Sequence, residues 1–232
     1  NIIPEGQAKR DELLLTTEGL EEAMYGVYAQ LRSTTLYGQE LHFHTLEIMA
    51  HNMHCSGHTT ITALGNFEYD NTNVKSLFEG IWTTMYKNIS NVNSVLNSPL
   101  IVDAEEFPYT IYKGEALGLR AFMHFDLVRL FTEQYTQNQN ATGIPYATEF
   151  SLITPEFENL QKNYEHIIAD LLEAERLLAD EEKYEGESNY MLDRQIHFNK
   201  YAVKATLARV YLTMGDKENA AKYAKEVIDG KK

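Results

Sequence analysis

The sequence predicts an all-α fold, a superhelix of stacked helical hairpins with long irregular loops between some of the helices. Three stretches carry that prediction. KYAVKATLARVYLTMGDKENAAKYAKEVID, residues 200–229, holds two amphipathic periods around a Gly215-Asp216 turn. Residues 78–96 place Phe78, Ile81, Trp82, Met85, Tyr86, Ile89, Asn93 and Leu96 on one helical face, and Pro99 stops the pattern. ALGLRAFMHFDLVRLF, residues 116–131, is apolar around most of its circumference, which predicts a helix covered by neighbours on several sides.

The remaining elements follow in chain order. Leu20, Ala23, Met24, Val27, Tyr28 and Leu31 recur at i, i+3, i+4 and i+7, so the first helix has one buried face; Thr17 is its expected N-cap, with Glu18, Glu21 and Glu22 suited to the positive end of the dipole. A more polar helical stretch is expected from Leu36 to Met53, then a Gly, Thr and Asn-rich loop from Ser56 to Asn73. The helix of residues 110–131 is followed by a second long loop, Gln134 to Pro155. Tyr164, Ile167, Ile168, Leu171, Leu172 and Leu178 mark the next helix, and a polar connector, Glu181 to Arg194, leads to the last pair. Loops of about twenty structureless residues are uncommon in compact domains and often carry function.

The last pair reads as one tetratricopeptide-type unit. Ala205, Ala208, Ala220 and Ala224 permit close helix packing, while Leu207, Tyr211 and Val227 fill the seam. Two hairpins of this kind are expected, at about 114–180 and 199–230. Such units hold a partner or present loops; they perform no chemistry by themselves.

Composition narrows the function. Among 232 residues there are 34 acidic against 20 basic side chains, a formal net charge of −14. Nucleic-acid binding draws its affinity from clustered Lys and Arg, so nucleic acid is excluded as the expected partner, and polyanionic glycans are disfavoured for the same reason. The single Cys55 allows neither an internal disulfide nor a Cys-based zinc site. No run approaches the ~20 apolar residues of a membrane-spanning helix. No phosphate loop, nucleophile elbow or Ser, His, Asp arrangement is visible, so no enzymatic activity and no cofactor is expected.

The order of four segments resembles the N-terminal portion of the SusD/RagB family of surface glycan-binding lipoproteins. They are LEEAMYGVYAQL at 20–31; IWTTMYKNISNVNSVL at 81–96, with Trp82, Tyr86, Ile89 and Asn93 in a W-x3-Y-x2-I-x3-N pattern; GEALGLRAFMHFDLVRLF at 114–131; and YEHIIADLLEAERLL leading to KYAVKATLARVYLTMGD. Glu115, Leu119, Arg120, Phe125, Asp126, Leu127 and Phe131 match the family's EA-x2-LRA-x3-FDL-x2-LF run, with Gly143-Ile-Pro after an insertion. Two departures are Thr132 where the family has Gly, and Glu47 with a histidine cluster where it often has Asp. The resemblance implies a tetratricopeptide-bearing helical half, residues 1–232, of a larger fold whose C-terminal half lies outside this sequence. It also implies an outer-membrane, surface-exposed lipoprotein, held by an N-terminal lipid anchor not present in this chain, that delivers oligosaccharide to a SusC-like TonB-dependent transporter. On that reading this chain alone binds glycan weakly or not at all. The alternative is a tetratricopeptide-type adaptor for a protein partner, which would be expected to show three or more contiguous repeats.

Sugar binding needs an aromatic face against the C–H side of a ring and amide or carboxylate groups for its hydroxyls. Gly65-Asn-Phe-Glu-Tyr-Asp-Asn-Thr-Asn offers that mixture, and Asn66, Phe67, Tyr69 and Asp70 are the candidate glycan contacts. Five of the eight histidines fall between His42 and His58, and His51, His54 and His58 with Cys55 have a spacing that allows convergence on a metal. With no HExxH and no Cys pair, they are read as loop or groove residues and no metal is expected. Trp82 and Tyr86 are expected in the core, Asn93 is expected to bond a loop backbone, and Arg120 a buried carboxylate or carbonyl.

Overall fold

The computed structural model describes residues 12–53, 57–151, 153 and 155–230. Eight α-helices are described: α1 (Thr17–Leu31), α2 (Thr45–Met49), α3 (Thr59–Gly65), α4 (Thr72–Leu96), α5 (Tyr109–Phe131), α6 (Leu160–Leu178), α7 (Lys200–Met214) and α8 (Lys217–Asp229). A two-stranded antiparallel ribbon, β1 (Thr142–Pro145) with β2 (Phe157–Asn159), pairs Thr142 with Asn159 and Pro145 with Phe157. The chain divides into two compact units, residues 25–89 and the remainder, with the divisions inside α1 and α4.

In the larger unit α5 packs against α6, α7 and β1, and α7 against α6 and α8. This explains the all-round apolar character of α5: Ile111, Ala116, Leu119, Met123, Phe125 and Val128 are all buried. Gly114 and Gly118 permit the approach, since a Cβ at Gly114 would lie 2.7 Å from Leu178 Cγ and one at Gly118 2.5 Å from Phe198 Cε1. The final hairpin turns where expected. Gly215 adopts φ 82°, and Asp216 caps α8 by accepting the Asn219 N–H at 3.1 Å. Tyr211 stacks on Tyr223 at 5.7 Å, Leu207 and Ala220 are buried, but Ala224 is exposed and so does not belong to the packed seam.

Two buried polar networks hold the irregular parts of this unit. Glu115, fully buried, accepts hydrogen bonds from Tyr190 Oη at 2.8 Å and from Arg194, which also pairs with Glu181. Burial opposes the Arg194 charge, but the two carboxylates raise its pKa overall. The polar connector is thereby folded into three 3₁₀ turns (Glu181–Tyr184, Asn189–Met191, Arg194–Ile196).

The second network pins the segment after α5. Arg120 forms a bidentate pair with Asp170, both bonds 2.7 Å, and donates to Asn93 Oδ1 and the Thr148 carbonyl. Asn93 donates to the Ala147 carbonyl at 2.9 Å and the Glu149 carbonyl at 3.3 Å, and Tyr146 Oη donates to Asp170 at 2.6 Å. Both Arg120 and Asn93 thus have the partners the sequence led one to expect. His124 donates from Nδ1 to the Arg120 carbonyl and accepts the Ala147 N–H at Nε2; burial lowers its pKa to about 3, so it is neutral. Tyr146 stacks on the His124 ring at 3.9 Å, and Asn163 brackets Ile144 by bonding both its N–H and its carbonyl. The loop expected from Gln134 to Pro155 is therefore partly a ribbon, clamped by side chains.

Other expectations are corrected in detail. The cap of α1 is Thr16, whose Oγ1 accepts the Gly19 N–H at 3.1 Å, while the Thr17 hydroxyl meets Tyr109 Oη. The stretch from Leu36 to Met53 is helical only at α2. Glu40 folds onto Thr45 Oγ1 and His44 Nδ1, at 2.5 and 2.7 Å, closing a turn where a longer helix was expected. Trp82 and Tyr86 are half-buried, their rings 4.8 Å apart, because the buried face of α4 runs through Ile81, Met85, Ile89 and Val92. One position along a helix is a 100° turn, enough to move them to its edge.

Candidate functional site

The smaller unit places the candidate glycan residues on the connection between α3 and α4. The stretch expected as a loop from Ser56 to Asn73 contains α3, hidden in the sequence by its β-branched Thr59-Thr-Ile-Thr run. Burial overrides that local preference. Ala63 and Leu64 join Ile48 and Val74 in a small core, with Met49, Ile61 and Phe78 packed on it. Asn71 then caps α4, its Oδ1 accepting the N–H groups of Asn73 and Val74.

Helices α2 and α3 end in the same way. After α2, His51 has φ 58°, its N–H bonds the Ile48 carbonyl, and the Asn52 N–H reaches back to Glu47. After α3, Phe67 has φ 58°, its N–H bonds the Leu64 carbonyl, and the Glu68 N–H reaches Ala63. Both are Schellman caps with a ring-bearing residue in the left-handed position that glycine normally takes. A non-glycine residue held there costs of order 1–3 kcal/mol. The two strained positions bring their rings together, His51 to Phe67 at 5.8 Å, and His51 Nε2 lies 2.9 Å from the Gly65 carbonyl.

The ring series continues from Phe67 to Tyr69 at 6.4 Å and from Tyr69 to half-buried Phe78 at 5.8 Å. Phe78 anchors the inner end, while Phe67 and Tyr69 remain 46% and 51% exposed. Asn66 donates to Glu68 Oε1 at 3.0 Å, and Asp70 is exposed beside Tyr69. The structure therefore gathers all four sequence-selected residues on one loop, around two exposed rings. It adds His51, which the sequence offered only as a metal-site candidate. The signal for its position beside Phe67 is backbone conformation, which residue type alone does not disclose.

Beside the rings, α2 and α3 enclose a cavity of about 360 Å³. Ile48, Met53 and Ile61 supply its apolar lining, and His51, Thr62 and Asn66 its polar groups. Of the histidine cluster, His54 and Cys55 lie outside the described residues; among the described residues no group of three or more His, Cys, Asp or Glu side chains is placed to hold a metal ion. No described helix is long and apolar enough to cross a membrane.

The stacked helical hairpins of the larger unit, with their polar-pinned ribbon, place the protein in the helical-repeat class. The chain belongs to the SusD-like family: the family model described as "starch-binding associating with outer membrane" matches residues 7–212. It is 28% identical over 240 aligned positions to SusD-like protein P2 of Formosa agariphila, an alignment covering 97% of this chain and 42% of that protein. Among solved structures, a SusD homolog from Bacteroides thetaiotaomicron matches with TM-score 0.72 and 22% identity, over 97% of this chain and 43% of that one. A SusD-like carbohydrate-binding protein from Bacteroides vulgatus gives TM-score 0.72 and 21% identity, over 93% and 45%. A laminarin-binding SusD-like protein gives TM-score 0.61 and 20% identity, over 91% and 43%. These likenesses establish the helical SusD-type fold, and the chain spans less than half the length of each of these relatives.

Proposed function

We propose that this chain is the helical portion of a cell-surface glycan-binding protein, and that Phe67 and Tyr69, flanked by Asn66 and Asp70, form a glycan contact. The observation that carries the reading is a half-exposed phenylalanine at a strained left-handed cap, beside a half-exposed tyrosine. An aromatic ring kept in that position against its conformational cost is suited to contact rather than to packing. Family membership supports carbohydrate as the ligand class, because the family is described as starch-binding.

In the full proposal the protein is a lipid-anchored component of the outer membrane that passes oligosaccharide to a TonB-dependent transporter, and the rest of a longer polypeptide completes the glycan site. Binding by this chain alone is accordingly weak. It is tested by ¹H–¹⁵N NMR titration with neutral oligosaccharides at millimolar concentration. Shifts centred on residues 66–70 that vanish in Phe67→Ala and Tyr69→Ala are expected. Shifts elsewhere that survive both substitutions would overturn the assignment of the contact.

A further inference from the structure

We propose that the cavity between α2 and α3 receives the acetamido group of an N-acetylated sugar whose ring rests on Phe67. This rests on the assignment of Phe67 and Tyr69 as a glycan contact and names the sugar class they serve. The cavity and the rings are continuous: His51 lines the cavity and its ring lies 5.8 Å from that of Phe67, and Asn66, also lining it, directly precedes Phe67. A sugar stacked on Phe67 can therefore direct a ring substituent into it.

The lining matches an acetamido group part by part. A carbonyl oxygen only accepts, so His51 Nε2 carries the hydrogen toward the Gly65 carbonyl, and in the neutral ring Nδ1 is left as an acceptor. That nitrogen suits an amide N–H. Asn66 spends one amide hydrogen on Glu68, and a primary amide has a second to offer the acetyl oxygen. Ile48, Met53 and Ile61 suit the methyl group. A volume of about 360 Å³ admits the group together with water. Carboxylated or sulfated substituents fit poorly, because among the described residues no Lys or Arg lines the cavity, and Glu68 and Asp70 stand beside the rings.

The test compares three β-1,4-linked trisaccharides, of N-acetylglucosamine, glucosamine and glucose, by methyl NMR of Ile48, Ile61 and Met53 together with the amides of residues 66–70. The second protein is Gly65→Leu. Gly65 lines the cavity, its backbone is helical, and among the described residues a Cβ there meets only Ile48 Cγ2, at 3.7 Å, an ordinary contact, so a larger side chain is directed at the space from an unstrained backbone; circular dichroism checks folding. The N-acetylated ligand is expected to shift the cavity methyls and to bind roughly tenfold tighter than the other two. Gly65→Leu is expected to erase that preference while shifts at residues 66–70 persist. Equal binding of the acetylated and unacetylated sugars, or a preference unchanged in Gly65→Leu, overturns the cavity assignment and leaves the ring contact standing. Absence of any shift at residues 66–70 with all three ligands overturns both.

Discussion

Two connections, residues 66–71 and residues 142–149, use similar amino acids in opposite ways. Both lie in stretches that read as polar loops, and both contain aromatic and carboxylate side chains. In the second, the ring turns inward: Tyr146 is buried against His124 and donates to Asp170, while Asn93, Arg120, His124 and Asn163 from the helices satisfy backbone groups of Ile144, Ala147, Thr148 and Glu149. In the first, Phe67 and Tyr69 stand half exposed, and the loop's hydrogen bonds are short-range caps. Buried polar groups with full partners fix a shape. Exposed rings on a strained cap are available to a ligand.

The contrast is broken most severely at Arg120. Arg120→Ala leaves the largely covered Asp170 without its ion pair and frees the Thr148 carbonyl and Asn93 Oδ1, and a loss of about 3–5 kcal/mol in urea-unfolding free energy is expected. Phe67→Ala, in the exposed loop, is expected to cost far less in the same assay.

Acid should weaken the pinned connection next. His124 has a pKa lowered by burial to about 3, below its unfolded value of 6.5, so the folded state binds fewer protons between those limits. Its contribution is present in full above pH 6.5 and is lost as pH falls toward 3, by at most roughly 1.4 kcal/mol per pH unit. Thermal melts across this range should show that slope, and His124→Gln should flatten it.

The smallest effect distinguishes the exposed loop. Phe67→Gly and Phe67→Ala both remove the ring, but only glycine is at ease at φ 58°. The glycine variant should be more stable than the alanine variant by about 1 kcal/mol in chemical denaturation. Equal stabilities would mean that the cap is not strained. Neither variant should retain the ring-dependent glycan shifts.

Much of this was legible in residue order. Gly215-Asp216 announced the last turn, the all-round apolar α5 announced its burial, and Asn93 and Arg120 stood out as polar residues on apolar faces that needed partners. The candidate loop was legible through its composition. Less visible was α3, whose β-branched residues disguise it, and β1, whose few residues are held largely by the Asn163 side chain from another element. Trp82 and Tyr86 were placed one helical step too deep, because several apolar periods overlap on α4.

What the sequence by itself determined is the order and pairing of the long helices, since period and capping act over a few neighbouring residues. It also determined the acidic character that disfavours polyanions. Only tertiary structure decided that one polar loop is clamped and the other presented. That outcome depends on which distant side chains reach each backbone group, and on packing strong enough to hold His51 and Phe67 in left-handed conformations that neither residue adopts readily alone.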